Sequence, residues 1–265
     1  MSGPKLKSLF VRLVHSFVAG FNVQLRSYQF VGAALITTVV QPAVFIIMHL
    51  HGQGASSGFS SSHLMLAAFL SSVWTSVVWS SVTVLRADRQ NGSLPIIIVS
   101  GGSLSGSTLG RCSALVIING AISLLTVGTI ALVSGSYEFF THIDRVGIAY
   151  VFAIVSGTPL SLFIGTVLVG TPFGNRIAGL ITYPVLLVSG LLIPINAFPS
   201  WVAGVSNLLS IRWIYVWATN SELSLYSWEL STALILGCMY GAAGMLLMKR
   251  MTELSGESGE ASVAQ

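Results

Sequence analysis

The chain has 265 residues, of which 53% are hydrophobic and 8% charged, with 12 Lys and Arg against 8 Asp and Glu. Soluble domains carry about 25% charged residues, so this composition excludes a cytosolic enzyme, a nucleic-acid-binding module and a disordered chain. An integral membrane protein remains, in agreement with a mean hydropathy of +0.83.

The first predicted element is an amphipathic helix over residues 1–27. Apolar side chains recur in it at helical spacing, among them Phe10, Leu13 and Phe17, and polar side chains such as Arg12 lie on the other side. This pattern is typical of a cytoplasmic helix that lies in the inner interface of a membrane. An ordinary amphipathic leader without a partner is the alternative.

Six apolar stretches follow, each long enough to cross about 30 Å of hydrocarbon as a helix of roughly 20 residues. They lie near residues 31–50, 64–85, 113–134, 146–169, 177–194 and 228–248. The runs are continuous and do not alternate between apolar and polar residues, which favours helices over a barrel. The sequence therefore predicts an all-α integral membrane protein, with six transmembrane helices in a domain over residues 28–250.

The basic residues are distributed unequally between the two sides of this predicted domain. With the N-terminus inside, the inner side receives Lys5, Lys7, Arg12, Arg26, Arg86, Arg89, Arg111, Arg176, Lys249 and Arg250, and the outer side receives Arg145 and Arg212. Cytoplasmic loops carry an excess of Lys and Arg. We therefore predict a multi-pass membrane protein with both termini in the cytoplasm, and we expect its membrane to be the cell membrane of a bacterium.

Two segments depart from plain helical hairpins. Residues 194–223, before the last span, are too apolar for a solvated loop, yet Pro194 and Arg212 interrupt them. We predict short re-entrant helices there, on the outer side. Residues 251–265 are rich in Glu, Ser and Gly and predict a disordered cytoplasmic tail.

The inner loop between the second and third spans, residues 86–111, has an unusual composition. A turn around Gly92 is followed by the apolar stretch 94–99, in which Pro95 suits the first turn of a helix. The loop is therefore predicted to present one short helix to the cytoplasm. A strand is the alternative, because Ile96 and Ile97 are β-branched. An exposed apolar patch on such a loop indicates a surface for a partner.

Catalytic and ion-coupled functions find no support in the sequence. Gly101 and Gly106 have the spacing of a phosphate-binding loop, but Ser107 stands where that loop needs its lysine. Ion-driven carriers need ionisable residues at membrane depth, whereas the acids here fall in loops, tails or the first turn of a span. We predict no catalytic, cofactor or metal site on this chain, so another molecule must supply the energy.

In this loop the chain resembles the permease subunits of type-2 ABC exporters. In that family the loop carries a charged run, a Gly-Thr-Leu-like element, an apolar coupling helix and then a basic residue. Here Gly92, Ser93 and Leu94 match the element, with Ser in place of the usual Thr, and Arg111 is the basic residue. The family's usual glutamates are missing, and Asp88 is the acid of the loop. The resemblance extends to the whole ordered set of helices.

The resemblance implies a half-transporter that pairs with a second permease, identical or paralogous. Each permease would rest on a separate cassette ATPase, which binds ATP and Mg²⁺. The ATPase contact would be formed by Arg89, Asn91, Gly92, Ser93, Leu94, Pro95, Ile96 and Ile97. The cargo would be a hydrophobic or amphipathic compound such as a drug, antibiotic or lipid-like molecule. A polysaccharide or teichoic-acid exporter and a non-transporting membrane assembly protein are the alternatives.

The resemblance also places the cargo pathway at the interface between the two permeases. The first, second and fifth spans would line it. The first two would contribute polar and aromatic side chains, namely Thr38, Gln41, Ser72, Trp74, Thr75 and Trp79. The alternative is that the small hydroxylated residues of the second span allow tight helix packing.

Overall fold

The computed structural model describes residues 3–26, 36–51, 61–92, 103–169, 171, 174–193, 195–220 and 222–257. These residues form helices and no strand. The helices are α1 (Gly3–Arg26), α2 (Gln41–His51), α3 (Ser61–Gln90), α4 (Leu104–Val133), α5 (Glu138–Thr141), α6 (Ile143–Val169), α7 (Gly174–Val188), α8 (Ser200–Ser206), α9 (Ser210–Thr219) and α10 (Trp228–Glu257). A π-helical turn, Ile36–Val40, precedes α2, and a 3-10 turn, Ile195–Ala197, precedes α8.

Four helices, α3, α4, α6 and α10, are long and apolar enough to cross a membrane. They confirm the second, third, fourth and sixth predicted spans as long apolar helices. The fifth predicted span corresponds to α7, which has 15 residues. The first corresponds to the π-helical turn and α2, which has 11 residues, and part of this span lies outside the described residues. The count of six spans stays a prediction.

Helix α3 is the centre of the bundle. In its most apolar window 94% of the residues are buried inside the protein, against 33% in α4 and 28% in α10. Glycines of α6 permit a close approach to α3. A Cβ atom added at Gly157 would lie 2.8 Å from Val77 Cγ2, and one at Gly165 would lie 3.0 Å from Ser81 Cβ. Small residues at such crossings let helix backbones pack closely.

Helix α10 packs on the other side of α6 through glycines of its own. Added Cβ atoms at Gly237, Gly241 and Gly244 would lie 2.7 Å from Ser156 Cα, 3.0 Å from Pro159 Cβ and 2.9 Å from Phe163 N. These glycines recur every three or four residues, so they form one face of α10. The numbering rises together on both helices, which shows that α6 and α10 run in the same direction.

The long helices define two ends of the bundle. Helices α3 and α6 run in parallel, since Phe69 contacts Tyr150 and Arg89 contacts Val169. Helix α4 runs against them, because its first turns meet the last turns of α3. We call the end where α3 and α6 terminate and α4 begins the Arg89 end. The opposite end, where α3, α6 and α10 begin, is the Arg145 end.

Residues 195–219 form short helices, as the sequence predicts, and these pack against the bundle. The rings of Trp213 and Trp217 are 9% and 2% exposed, and their Nε1 atoms donate to the carbonyls of Asn207 and Ser224, both at 2.9 Å. The Tyr240 hydroxyl, in the middle of α10, donates to the Leu208 carbonyl. Whether this segment re-enters a membrane stays a prediction.

Two predicted boundaries need correction. The inner loop is shorter than residues 86–111, because α3 continues to Gln90 and α4 begins at Leu104, where Ser103 Oγ accepts a hydrogen bond from Gly106 N at 3.2 Å. Helix α10 continues to Glu257, beyond the predicted start of the tail at residue 251. Hydropathy detects only the apolar part of a helix, whereas the helix itself continues to a cap or a turn.

Candidate functional site

Three helices meet in a buried polar contact at the Arg89 end, which we call the Arg111 cluster. Asp88 of α3 is 4% exposed and forms an ion pair with Arg111 of α4. Arg111 Nε also donates to Oε1 of Gln24 of α1, at 3.2 Å. Breaking a buried ion pair leaves an uncompensated charge, which is strongly destabilising. The cluster therefore holds α1, α3 and α4 in one arrangement.

Helix α1 lies along the first turns of α4, and the backbones of the two helices are in direct contact. A Cβ atom added at Gly110 would lie 2.0 Å from the Phe17 carbonyl oxygen, so no side chain fits there without movement. At the start of α4, Ser103 N donates to Ser16 Oγ at 2.9 Å. This contact extends over several turns from Ser16 to the Arg111 cluster.

The helix predicted over residues 1–27 is thus confirmed, and its predicted apolar face is divided between two surroundings. Leu13 and Phe17 are half-buried and their backbone carbonyls contact α4, whereas Val14 is 42% exposed. Arg12 is exposed, as predicted, and the side chain of Phe10 lies outside the described residues. The position of α1 in a membrane interface stays a prediction.

The described part of the predicted ATPase contact leaves the bundle next to the Arg111 cluster. Arg89 is exposed and its Nη1 donates to the Val169 carbonyl at 3.0 Å, which ties the ends of α3 and α6 together. Asn91 and Gly92 form a turn, as the sequence predicts. Gly92 has a φ of 64° in this turn. Ser93, Leu94, Pro95, Ile96 and Ile97 lie outside the described residues.

The predicted pathway residues lie mainly inside the bundle. Gln41 and Trp79 are half-buried. The other four are at most 3% exposed, namely Thr38, Ser72, Trp74 and Thr75. Gln41 Nε2 of α2 donates to Thr75 Oγ1 of α3 at 3.0 Å, and the Thr75 hydroxyl donates to the Ser71 carbonyl at 2.8 Å. In this arrangement the hydroxyl groups of α3 serve close packing.

The thiol of Cys112, on α4, lies between α3 and α6. It is fully buried and lies within hydrogen-bonding reach of the Ser80 and Ser161 hydroxyls. These hydroxyls also donate to carbonyls of their own helices, Ser80 to Val77 at 3.1 Å and Ser161 to Thr158 at 2.7 Å. Small polar side chains therefore allow the three helices to meet without leaving these groups unpaired.

Sequence reasoning missed two polar residues in the middle of α4. Asn119 and Ser123 are 7% and 0% exposed, and the Asn119 Oδ1 and Ser123 Oγ atoms have no hydrogen-bond partner within the described chain. Unpaired polar atoms are costly away from water. The signal in the sequence is a pair of polar residues one helical turn apart inside the third predicted span.

No protein-family model matches the chain, and no curated protein is significantly similar to it.

Proposed function

We propose that this chain is the permease subunit of an ATP-binding-cassette exporter. With a second permease and two ATPase subunits it would export a hydrophobic or amphipathic compound. One observation carries the proposal: the Arg111 cluster ties an N-terminal helix to two long apolar helices. It does so beside Gly92, where the predicted coupling loop begins.

The direction of the helices supports the six crossings that such a permease needs. Because α6 and α10 run in the same direction, the chain must return to the Arg145 end between Val169 and Trp228. Helix α7 begins against Leu168 and passes Trp79, in the second half of α3. Its 15 residues are about 22 Å long, which is most of the roughly 30 Å thickness of the hydrocarbon core. We assign α7 as the fifth crossing.

The basic residues support the orientation. Six of those on α3, α4, α7 and α10 lie towards the Arg89 end, namely Arg86, Arg89, Arg111, Arg176, Lys249 and Arg250. Under the positive-inside rule this end faces the cytoplasm, where an ATPase can reach Gly92 and α1.

The acidic residues support an external source of energy. Asp88, in the last turn of α3, is already paired with Arg111, and Glu229 lies in the first turn of α10. A carrier driven by ions needs a titratable group in the middle of the membrane. In the proposed mechanism the two ATPase subunits close when they bind ATP, and this closure moves the coupling loop. The Arg111 cluster transmits the displacement to α1, α3 and α4 together.

At the interface with the second permease, the cargo pathway is proposed to open by the separation of α2 from α3. These helices are joined by the hydrogen bond from Gln41 to Thr75. Their separation would uncover the Thr38, Ser72 and Thr75 hydroxyls, which the described arrangement buries. A route that exposes both apolar and hydroxylated side chains suits an amphipathic compound.

The test is reconstitution of the full chain with its cassette ATPase, purified from native membranes by a tag on this chain. We expect ATP hydrolysis that the chain stimulates, and Gly92→Trp and Leu94→Asp should each reduce this stimulation at least about tenfold. Gly135→Trp is the matched control, because Gly135 also has a positive φ, of 72°, and open space around it. It lies at the Arg145 end and should leave the stimulation unchanged.

Two results would overturn the proposal. One is the absence of any cassette ATPase from the purified material together with normal export by Gly92→Trp cells. The other is a bound ATPase whose activity does not respond to this chain, which would favour a membrane assembly protein.

A further inference from the structure

A cavity of about 290 Å³ opens at the Arg145 end, between the first turns of α3 and α6, helix α5 and the end of α9. Its polar lining includes His63, Glu138, His142 and Arg145, and Leu66 and Phe139 form part of its apolar lining. Phe139 is 2% exposed, so the apolar wall belongs to the core of the bundle. The cavity is close to the lower end of ligand pockets, about 300 Å³.

The described lining of the cavity combines one arginine and two histidines with one acid. Arg145 is half-buried, and its guanidinium donates to the carbonyls of Trp217 at 3.3 Å, Asn220 at 2.6 Å and Leu223 at 3.1 Å. It therefore contributes a fixed positive charge, while the imidazoles of His63 and His142 provide N–H donors. The first turns of α3 and α6 add the positive ends of two helix dipoles. The acid among the described lining residues is Glu138, which is exposed.

We propose that this cavity binds the anionic head group of a small amphipathic molecule, such as an alkyl phosphate. The two imidazoles hydrogen-bond the anion in the field of Arg145, and a short apolar chain packs against Leu66 and Phe139. The volume limits the ligand to a head group and a few carbon atoms. This site is independent of the exporter function, because it concerns binding at the end of the bundle that is remote from the Arg111 cluster.

The experiment measures binding of hexyl phosphate to the full chain in nanodiscs of neutral phosphatidylcholine, by calorimetry and by the ³¹P linewidth of the ligand. We expect saturable binding of hexyl phosphate and weaker binding of hexanol, which has the same apolar chain without the anionic group. Loss of hydrogen bonds to a charged group predicts about tenfold weaker binding for His63→Ala and for His142→Ala. Removal of the neighbouring negative charge in Glu138→Gln predicts binding tighter by about twofold to fivefold.

Matched controls separate this effect from general damage. His15→Ala changes an exposed histidine of α1 towards the Arg89 end, and Asp144→Asn changes an exposed acid in the first turn of α6 that is outside the described lining. Both should bind hexyl phosphate like the unmodified chain. A merely structural disturbance would not produce effects of opposite sign at His142 and Glu138.

Further arms identify the source of the anion. Inorganic phosphate that binds as tightly as hexyl phosphate would show a site for the free ion and would overturn the amphipathic ligand. If hexyl phosphate binds more weakly when the nanodisc contains phosphatidic acid, the occupant is a lipid head group, in agreement with the proposal. Binding that equals that of empty nanodiscs, or that is unchanged in the His63→Ala and His142→Ala variants, would overturn the site.

Discussion

Arg111 illustrates what one side chain can do in an apolar bundle. Its guanidinium has five N–H donors in a fixed plane, so it can serve the Asp88 carboxylate and the Gln24 amide oxygen at the same time. Lysine has a single ammonium group on a flexible stem and could not reproduce this geometry. The residue type is therefore as important as the charge, since two helices depend on the direction of its donors.

A double-mutant cycle tests this role. Asp88→Leu and Arg111→Leu should each lower the stability of the chain by about 3–5 kcal/mol, because either change leaves a buried charge without its partner. The Asp88→Leu/Arg111→Leu double variant should lose much less than the sum, since both charges are removed. Unfolding in a fixed detergent, followed by tryptophan fluorescence, measures these differences.

Arg250→Leu is the control for this cycle, because Arg250 is an exposed arginine towards the same end of the bundle. It should change stability by less than about 0.5 kcal/mol. Additive losses in the Asp88 and Arg111 variants would contradict a coupled pair.

At the scale of elements, the packing of α1 on α4 depends on glycines, which have no side chain to separate the two backbones. Gly20 of α1 and Gly106 and Gly110 of α4 stand where the two backbones touch. A glycine costs conformational freedom in a helix, so its presence at a backbone crossing is explained by the contact that it permits. The contact fixes the position of α1 relative to the loop that follows α3.

Gly110→Ala should therefore detach α1. The new Cβ would lie 2.0 Å from the Phe17 carbonyl oxygen and 2.9 Å from Phe21 N, and overpacking of this kind costs about 1–3 kcal/mol. Hydrogen exchange of the α1 amides, read by mass spectrometry, should become faster. Gly128→Ala on the same helix is the control, since its Cβ would meet the Phe140 ring at an ordinary 3.9 Å. Equal exchange in both variants would show that α1 is held elsewhere.

The sequence allowed the long helices to be predicted but not their arrangement. Hydropathy measures the compatibility of side chains with lipid, and it locates α3, α4, α6 and α10 because each contains an apolar run long enough to cross a membrane. It does not show which helix is central. The mean hydropathy of the α3 window is 1.5 against 2.2 for α4, yet α3 is the more buried helix. Its serines and threonines bond to their own backbone, so protein neighbours can surround them.

The candidate site was predictable only in part, for a related reason. The turn at Gly92 and the amphipathic α1 have local signals, since a positive φ favours glycine and a helical face has a period of 3.6 residues. The pairing of Asp88 with Arg111 joins residues 23 positions apart, and no periodicity encodes it. Likewise, the cavity at the Arg145 end combines residues from separate helices, and it depends on the parallel arrangement of α3 and α6.

At the scale of the whole molecule, the shared direction of α6 and α10 constrains the topology. Both helices are apolar and long enough to cross a membrane, and their glycine contacts place their beginnings at the same end. If both cross a membrane, the proposed topology needs a return crossing between them. The described element with the right position and direction for this return is α7.

Cysteine labelling tests this topology in a background without the native thiols, Cys112→Ala/Cys238→Ala. Single cysteines are placed at four exposed positions: Asn91 and Tyr137 on either side of α4, Arg176 in the first turn of α7, and Tyr226 beyond its end. A membrane-impermeant maleimide added to intact cells should label positions 137 and 226, and positions 91 and 176 only after permeabilisation. Positions 91 and 137 are the internal reference, since they flank α4. Labelling of 176 and 226 from the same side would mean that α7 does not cross, and the six-span permease would then fail.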